Sequence, residues 1–407
     1  MSAEWRVFAK VTLPLSGLNL INQASRTVMA IIGPALALEF ALSARELGLL
    51  AACMFAAYAL AQLPEGLALD RIGPRRLQAA LGLVTAGGFA LFALSDGFAG
   101  FAAARVVLGV GVSAGLMALI KANTDWFAPA SVARMSAIGQ AIGVLGSMLA
   151  TVPAQAALPV IGWRGVLGLL CALSCAVALW IFFAVPEKRV PASRPSLAAE
   201  AAAMFSVCAS RKFWRHAPPV AMLSVLNFTY LGLWAGPWLR DVAGYDGPAR
   251  AQTLLLYTFG ALAGALVTGA LTSRAHARGF PTRLIFLACN AGLLAAQIAL
   301  AFGPSGAEVP AVWLLFAFSA AGATPGYVVV GQMFPPEQMG RVTTAANTLT
   351  LALAFVLQTA IGALLDLWPR TADGGWDPRA YSAALFFSAA VQALVAAQLL
   401  RRKQGSF

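Results

Sequence analysis

Gly66-Leu67-Ala68-Leu69-Asp70-Arg71-Ile72-Gly73-Pro74-Arg75-Arg76 is a charged stretch between two long apolar runs, Leu49 to Leu63 and Leu77 to Leu94. Asp70, Arg71, Arg75 and Arg76 crowd into one short segment of a chain that is only 11% charged. Such a cluster cannot sit in hydrocarbon, so the stretch predicts a tight loop at a membrane surface. Basic residues in short loops hold them on the cytoplasmic side. The same stretch therefore sets which way the chain faces.

Composition widens this into a fold class. The chain has 407 residues and is 60% hydrophobic, whereas a soluble domain carries about 25% charged residues. A polytopic all-α membrane protein is the economical reading, because helices satisfy their own backbone groups in lipid. In a soluble protein a net charge of +12 points to nucleic acid. Here the basic residues read as loop anchors at the lipid bilayer, and no nucleic-acid partner is expected. Cys53, Cys171, Cys175, Cys208 and Cys289 form no Cys-x-x-Cys or Cys/His cluster and read as buried small hydrophobes. The first apolar run is too long for a cleaved signal peptide.

A span needs about 20 residues. Qualifying runs lie near 12–38, 46–64, 77–95, 98–122, 135–158 and 165–185, then near 218–239, 250–272, 283–302, 310–333, 342–366 and 380–400. The expectation is twelve transmembrane helices in two six-helix halves, 1–185 and 218–407. A cytoplasmic linker at 186–217 joins them, broken by Pro186, Pro191 and Pro195. Ser196 to Arg215 reads as a short interfacial helix with Phe205, Phe213 and Trp214 on lipid. With the start placed inside, 19 of the 28 lysines and arginines fall in cytoplasmic segments and six outside. The asymmetry puts both termini in the cytoplasm. Arg26, Arg105 and Lys121 remain inside spans.

The charged stretch resembles the turn between the second and third helices of the major facilitator superfamily, carried here by Gly66, Asp70, Arg71, Gly73 and Arg75. Pro74 stands where that pattern has a basic residue, with the next arginine at Arg76, and its Leu-Ala pair is inverted as Ala68-Leu69. Gly269 to Gly279 echoes the turn in the second half, with Ser273 in place of the aspartate. Arg105-x-x-x-Gly109-x-Gly111 is similar to the family's second signature. The resemblance implies two halves holding substrate near the midplane, in the inner membrane. It also implies that Asp70 latches the cytoplasmic side against the start of the eleventh span, near Arg341. A carboxylate at a helix N-terminus gains about 0.3–1 kcal/mol. Gly66, Asp70, Arg71, Gly73, Arg75, Arg76, Arg105 and Arg341 are the expected gating residues.

Ionisable groups inside spans are costly and read as functional. Arg26, in Asn22-Gln23-Ala24-Ser25-Arg26, lies about 20 Å into its span at 1.5 Å per residue. No mid-span Asp or Glu offers itself as a partner. A guanidinium there fits a carboxylate or phosphate. Lys121 is the companion suggested by anion-transporting branches of the family, and Asn22 lies one turn from Arg26. Arg105 and Lys121 are roughly 160° apart on a straight helix and should not share one site. Arg105 lies near the outer end, and its match to the family's second signature implies packing or gating. In the second half Asn227, Tyr230 and Trp234 recur at helical spacing, and Tyr327, Gln332, Asn347 and Gln358 are further candidates for substrate contact. The glycines of Gly111-x-x-x-Gly115, Gly139-x-x-x-Gly143 and Gly260-x-x-x-Gly264 read as packing points.

The function expected is secondary transport of a small organic anion by alternating access, as proton-coupled uptake, by a monomer. A drug or metabolite exporter of the same fold is the alternative, with Arg26 structural. A sensor or flippase is disfavoured by the intact Asp70 turn. An enzyme is not expected: His216 and His276 fall in loops, and no metal spacing, phosphate loop or nucleophile elbow occurs. No cofactor or metal is expected.

Overall fold

The computed structural model describes residues 3–187, 197–335 and 338–400, and among these it is helical throughout apart from one isolated bridge between Arg370 and Trp376. Pro191, Pro195, Lys188, Arg189, Arg194 and the terminal Arg401, Arg402 and Lys403 lie outside the described residues.

Long apolar runs become helices because backbone groups in lipid must be satisfied within the segment. In chain order the first span is Leu13–Glu39. Ala44–Leu94 holds the second and third. Phe98–Val112 and Gly115–Trp126 are two pieces of the fourth. Pro129–Leu149 is the fifth, and Val152–Ala184 extends it before carrying the sixth. The seventh is Arg211–Thr229 and Ala235–Asp241, joined by a π turn at Tyr230–Trp234. Gly247–Ala277 and Arg283–Ala301 follow, then the paired Glu308–Ala320 and Ala323–Gln332, then Met339–Leu365 and Pro378–Ala396. Ten helices among the described residues are long and apolar enough to cross a membrane. Leu13–Glu39 and Pro129–Leu149, at the places of the expected first and fifth spans, are helices of 27 and 21 residues that are not among those ten.

The charged stretch is not the loop that its composition predicts. The helix from Ala44 continues through Asp70 and Arg71, and the chain reverses at Gly73 alone (φ 79°, ψ 166°). That left-handed conformation is open to glycine and strained for other residues. Pro74 then opens the next helix, where its fixed φ fits and its missing N–H costs nothing. Gly279 makes the corresponding reversal in the second half (φ 69°).

The chain packs as two units, Met1–Ala35 with Leu50–Ala199, and Leu36–Leu49 with Glu200–Phe407. In the first, close helix contact depends on missing side chains. A methyl group on Gly109 collides with the Met54 carbonyl oxygen, and one on Gly146 with that of Leu20.

In the second unit the helix beginning at Ala44 is capped twice. Ser43 and Glu46 form a reciprocal capping box, with Ser43 N to Glu46 Oε2 at 2.8 Å and Glu46 N to Ser43 Oγ at 3.1 Å. Asp366 then accepts from both Ala44 N and Arg45 N at 2.8 Å.

Within the stretch expected to form an interfacial helix, Leu197–Ala209 is helical, and Phe205 and Trp214 are exposed. Phe213 differs: it is buried against Val207, Ala217 and Val342, because Ser210 caps a new helix there and turns it inward. All five cysteines are free, and Cys289 alone is buried; the others are half-exposed at helix surfaces rather than in the core.

Gly146→Ala is expected to cost about 1–3 kcal/mol through overpacking, read as a lowered unfolding temperature in detergent. Gly168→Ala, where no atom lies within 4 Å of the added methyl, should leave it unchanged. Asp366→Ala removes two cap bonds and is expected to cost about 1 kcal/mol in the same assay.

Candidate functional site

Leu13–Glu39 is 27 residues long and Arg26 is its midpoint. The polar residues of this helix are tied to its neighbours. Thr12 Oγ1 donates to Asn123 Oδ1 at 2.7 Å, and Thr27 Oγ1 meets Ser147 Oγ at 3.1 Å. Arg26 Nε donates to Asn22 Oδ1 at 3.0 Å, and its guanidinium carbon lies 5.0 Å from the Tyr58 ring centroid and 5.8 Å from that of Phe55. Asn22 is buried and donates from Nδ2 to the Val112 carbonyl at 3.4 Å. Arg26 is half-buried. The arrangement is a charged fork partly open to solvent or ligand, steadied by an amide and by two ring faces.

The other cations within spans are held differently. Arg105 is 1% exposed and ties two helices together, through Nε to the Leu50 carbonyl at 3.1 Å and through Nη1 to the Ser25 carbonyl at 3.0 Å. It is a packing strut. Lys121 Nζ pairs with Asp70 Oδ1 at 2.6 Å. Beyond the reversal, Arg76 pairs with Glu187 at 2.7 Å, and Arg75 donates to the Phe182 carbonyl at 2.8 Å while stacking over its ring. Arg71 is exposed, and a methyl group added at Gly66 meets nothing within 4 Å. Arg341 is half-buried near the start of Met339–Leu365, in the other unit from Asp70.

One acid went unread in the sequence. Glu65 directly precedes the charged stretch and looks like part of a surface turn. Because the helix continues to Gly73, Glu65 lies about two turns inside it. It is 7% exposed, and its Oε2 makes a short hydrogen bond with Ser113 Oγ. The signal available was the helical spacing of Gln62, Glu65 and Leu69, at i, i+3 and i+7, which continues past Gly66.

In the second unit, Asn227, Tyr230 and Trp234 do not converge on one point, since the π turn begins at Tyr230. Asn227 Oδ1 accepts from Tyr257 at 3.0 Å, and Tyr230 meets Ser388 Oγ at 3.0 Å. The Tyr230 and Tyr257 rings share the neighbours Trp313 and Phe316, with centroids 5.2–5.9 Å apart. Ser388 passes the bonding on to Gln297 at 2.7 Å, and thence to Gln392 and Asn290. Trp234 instead lies against Trp376, 6.3 Å between centroids, and beside Gly48 and the Gln358 backbone. Trp234 Nε1 and both side-chain polar atoms of Gln358 are buried without a hydrogen-bond partner among the described residues. Tyr327 meets Thr350 at 2.6 Å, and Asn347 is half-buried. Gln332 is exposed and lines a cavity of about 680 Å³ with Lys212, Thr272, Ser273 and His276.

Comparison with known proteins gives this geometry a family. The chain shares 32% identity over 146 residues with the probable L-galactonate transporter of Escherichia coli strain K12, which covers 36% of this chain and 32% of that protein. The chain thus matches about a third of that relative's length. The fold is similar to that of a bacterial homologue of the human lysosomal transporter Spinster, with a TM-score of 0.77 and 19% identity over 99% of this chain and 100% of that one. It is similar also to a D-xylose–proton symporter, with a TM-score of 0.70 and 16% identity over 96% and 97% of the two chains. The Major Facilitator Superfamily profile matches residues 15–359, and the chain, a multi-pass membrane transporter, belongs to that family.

Proposed function

We propose that this transporter moves a small organic anion of the carboxylate class across the inner membrane by alternating access, as proton-coupled uptake by a monomer. The observation that carries the reading is Arg26: a permanently charged fork at the midpoint of the first helix, half-buried and presented by Asn22, Phe55 and Tyr58. A guanidinium matches a carboxylate with two parallel hydrogen bonds. The partial likeness to a probable L-galactonate transporter supports the same chemistry. Galactonate is a hydroxylated carboxylate, so neutral polar groups suit its hydroxyls; of the second-unit candidates Trp234 and Gln358, whose side-chain polar atoms lack a partner among the described residues, are the ones proposed. Lys121 is paired with Asp70 at 2.6 Å and is not proposed as an anion contact. The excess of basic residues in alternate loops supports both termini in the cytoplasm.

Asp70 is proposed as a gating group, with Gly66, Arg71, Gly73, Arg75, Arg76, Arg105 and Arg341 shaping or supporting the gate. Its pair with Lys121 is half-exposed on both sides, so it contributes at most about 1 kcal/mol to stability.

Purified protein is expected to gain thermal stability from galactonate or related aldonates, by about 2.7 kcal/mol at a hundredfold excess over Kd. Arg26→Gln should weaken that binding about 30-fold or more, since removing a charged hydrogen-bonding partner costs about 2–5 kcal/mol. Stabilisation by cationic amphiphiles alone, unchanged in Arg26→Gln, overturns the anion reading in favour of an exporter. Asp70→Asn is expected to slow uptake about tenfold while shifting unfolding by less than about 1 kcal/mol. Wild-type uptake by Asp70→Asn removes the gating assignment.

A further inference from the structure

Transport coupled to a proton needs a group that takes one up inside the membrane, and Glu65 has the setting for it. It lies inside a long helix and is 7% exposed; Leu69, one turn on, and Ala114, next to Ser113, belong to a buried apolar cluster. Ser113 is its one polar partner among the described residues, and Glu65 Oε1 is buried with none. Ser113 sits at the break between Phe98–Val112 and Gly115–Trp126, where the fourth span leaves regular helix.

The hydrogen count at Ser113 favours a protonated acid. Its hydroxyl has a single proton but faces two oxygens, Glu65 Oε2 and the Val110 carbonyl at 2.7 Å. With Glu65 ionised both are acceptors only, and one of the two close approaches lacks a hydrogen. With Glu65 protonated, its O–H donates to Ser113 Oγ, Ser113 donates to the Val110 carbonyl, and both contacts are satisfied.

The surrounding charges are engaged elsewhere. On Glu65's own helix Asp70 is paired with Lys121 of the fourth span, and Arg71 is exposed. Across the reversal, Arg75 and Arg76 meet Glu187. Arg105 binds two carbonyls, and Asp125 lies beyond Lys121 near the end of its helix. Arg26 of the first helix is connected rather than opposed. Asn22 accepts from Arg26 through Oδ1 and donates through Nδ2 to Val112, the residue next to Ser113. A shift of Asn22 when an anion engages Arg26 is therefore felt at the break that holds Glu65.

We propose that Glu65 is the proton-carrying carboxyl of this transporter, joined to Arg26 through Asn22 and the helix break at Ser113. The assignment rests on the transport reading given above. Loading forms an O–H bond on the carboxylate with a proton taken from water; unloading returns that proton to water and leaves the carboxylate.

The test uses the full chain in lipid vesicles. Infrared difference spectra between acid and alkaline buffer read the C=O stretch of protonated carboxyl groups without any substrate. A titrating band is expected in the wild type, lost in Glu65→Gln and shifted in frequency in Ser113→Ala. The same band persisting in Glu65→Gln, or unmoved in Ser113→Ala, overturns the assignment. Uptake of radiolabelled galactonate supplies the second readout: its dependence on external pH should flatten in Glu65→Gln. A dependence equal to the wild type's overturns the proposal. If neither protein takes up galactonate, the anion reading fails, and the infrared bands still decide the role of Glu65.

Discussion

A polar group placed in hydrocarbon costs several kcal/mol until something nearby answers it, and the interior of this protein is arranged around that demand. Arg105 is answered by two backbone carbonyls of neighbouring helices. Asn123 joins Thr12 to Ser136, and Tyr230, Ser388, Gln297, Gln392 and Asn290 answer one another in a chain across three helices. Such closed sets fix helix register because a slide of one helix breaks several bonds together. Among the described residues several groups remain open, Glu65 Oε1, Trp234 Nε1 and the Gln358 amide along with Gln78, Thr229, Trp313 and Trp376. Openings of this kind suit a molecule that must accept a guest and then release it.

The two units bury different groups, although unit 2 also holds the ion pair of Arg240 with Asp241 at 2.5 Å. Unit 1 carries the cations within spans, Arg26, Arg105 and Lys121, along with the buried Glu65. The interior of unit 2 is aromatic and amide-rich, with Tyr230, Tyr257, Trp313 and Phe316 in ring contact.

Most of the fold was legible because a span must be about 20 apolar residues long, a demand that the twelve runs meet without help from tertiary contacts. The resemblance to the family's second signature implied packing or gating for Arg105, which binds two backbone carbonyls. What escaped was local. Asp70 and Arg71 look like a loop because they are charged, yet charge at a helix end is tolerated once the side chains reach the surface; only Gly73 needed to leave the helix. Misplacing that boundary hid Glu65, which reads as exposed when the loop begins at Gly66. Phe213 escaped for a similar reason: the cap at Ser210 redirects a helix that composition alone runs straight through. Lys121 was read toward Arg26, and its pairing with Asp70 depends on the same extended helix.

The π turn at Tyr230–Trp234 holds one more residue per turn than the α-helix on either side of it. Each residue of an α-helix turns the chain by about 100°, so the seventh span behaves as two rods joined by a fixed twist. Asn227 below the twist is anchored to Tyr257, and Trp234 at its end is stacked on Trp376. Residues before Tyr230 and after Trp234 therefore face directions that uninterrupted α-helical spacing does not give, which is why Asn227 and Trp234 meet different neighbours.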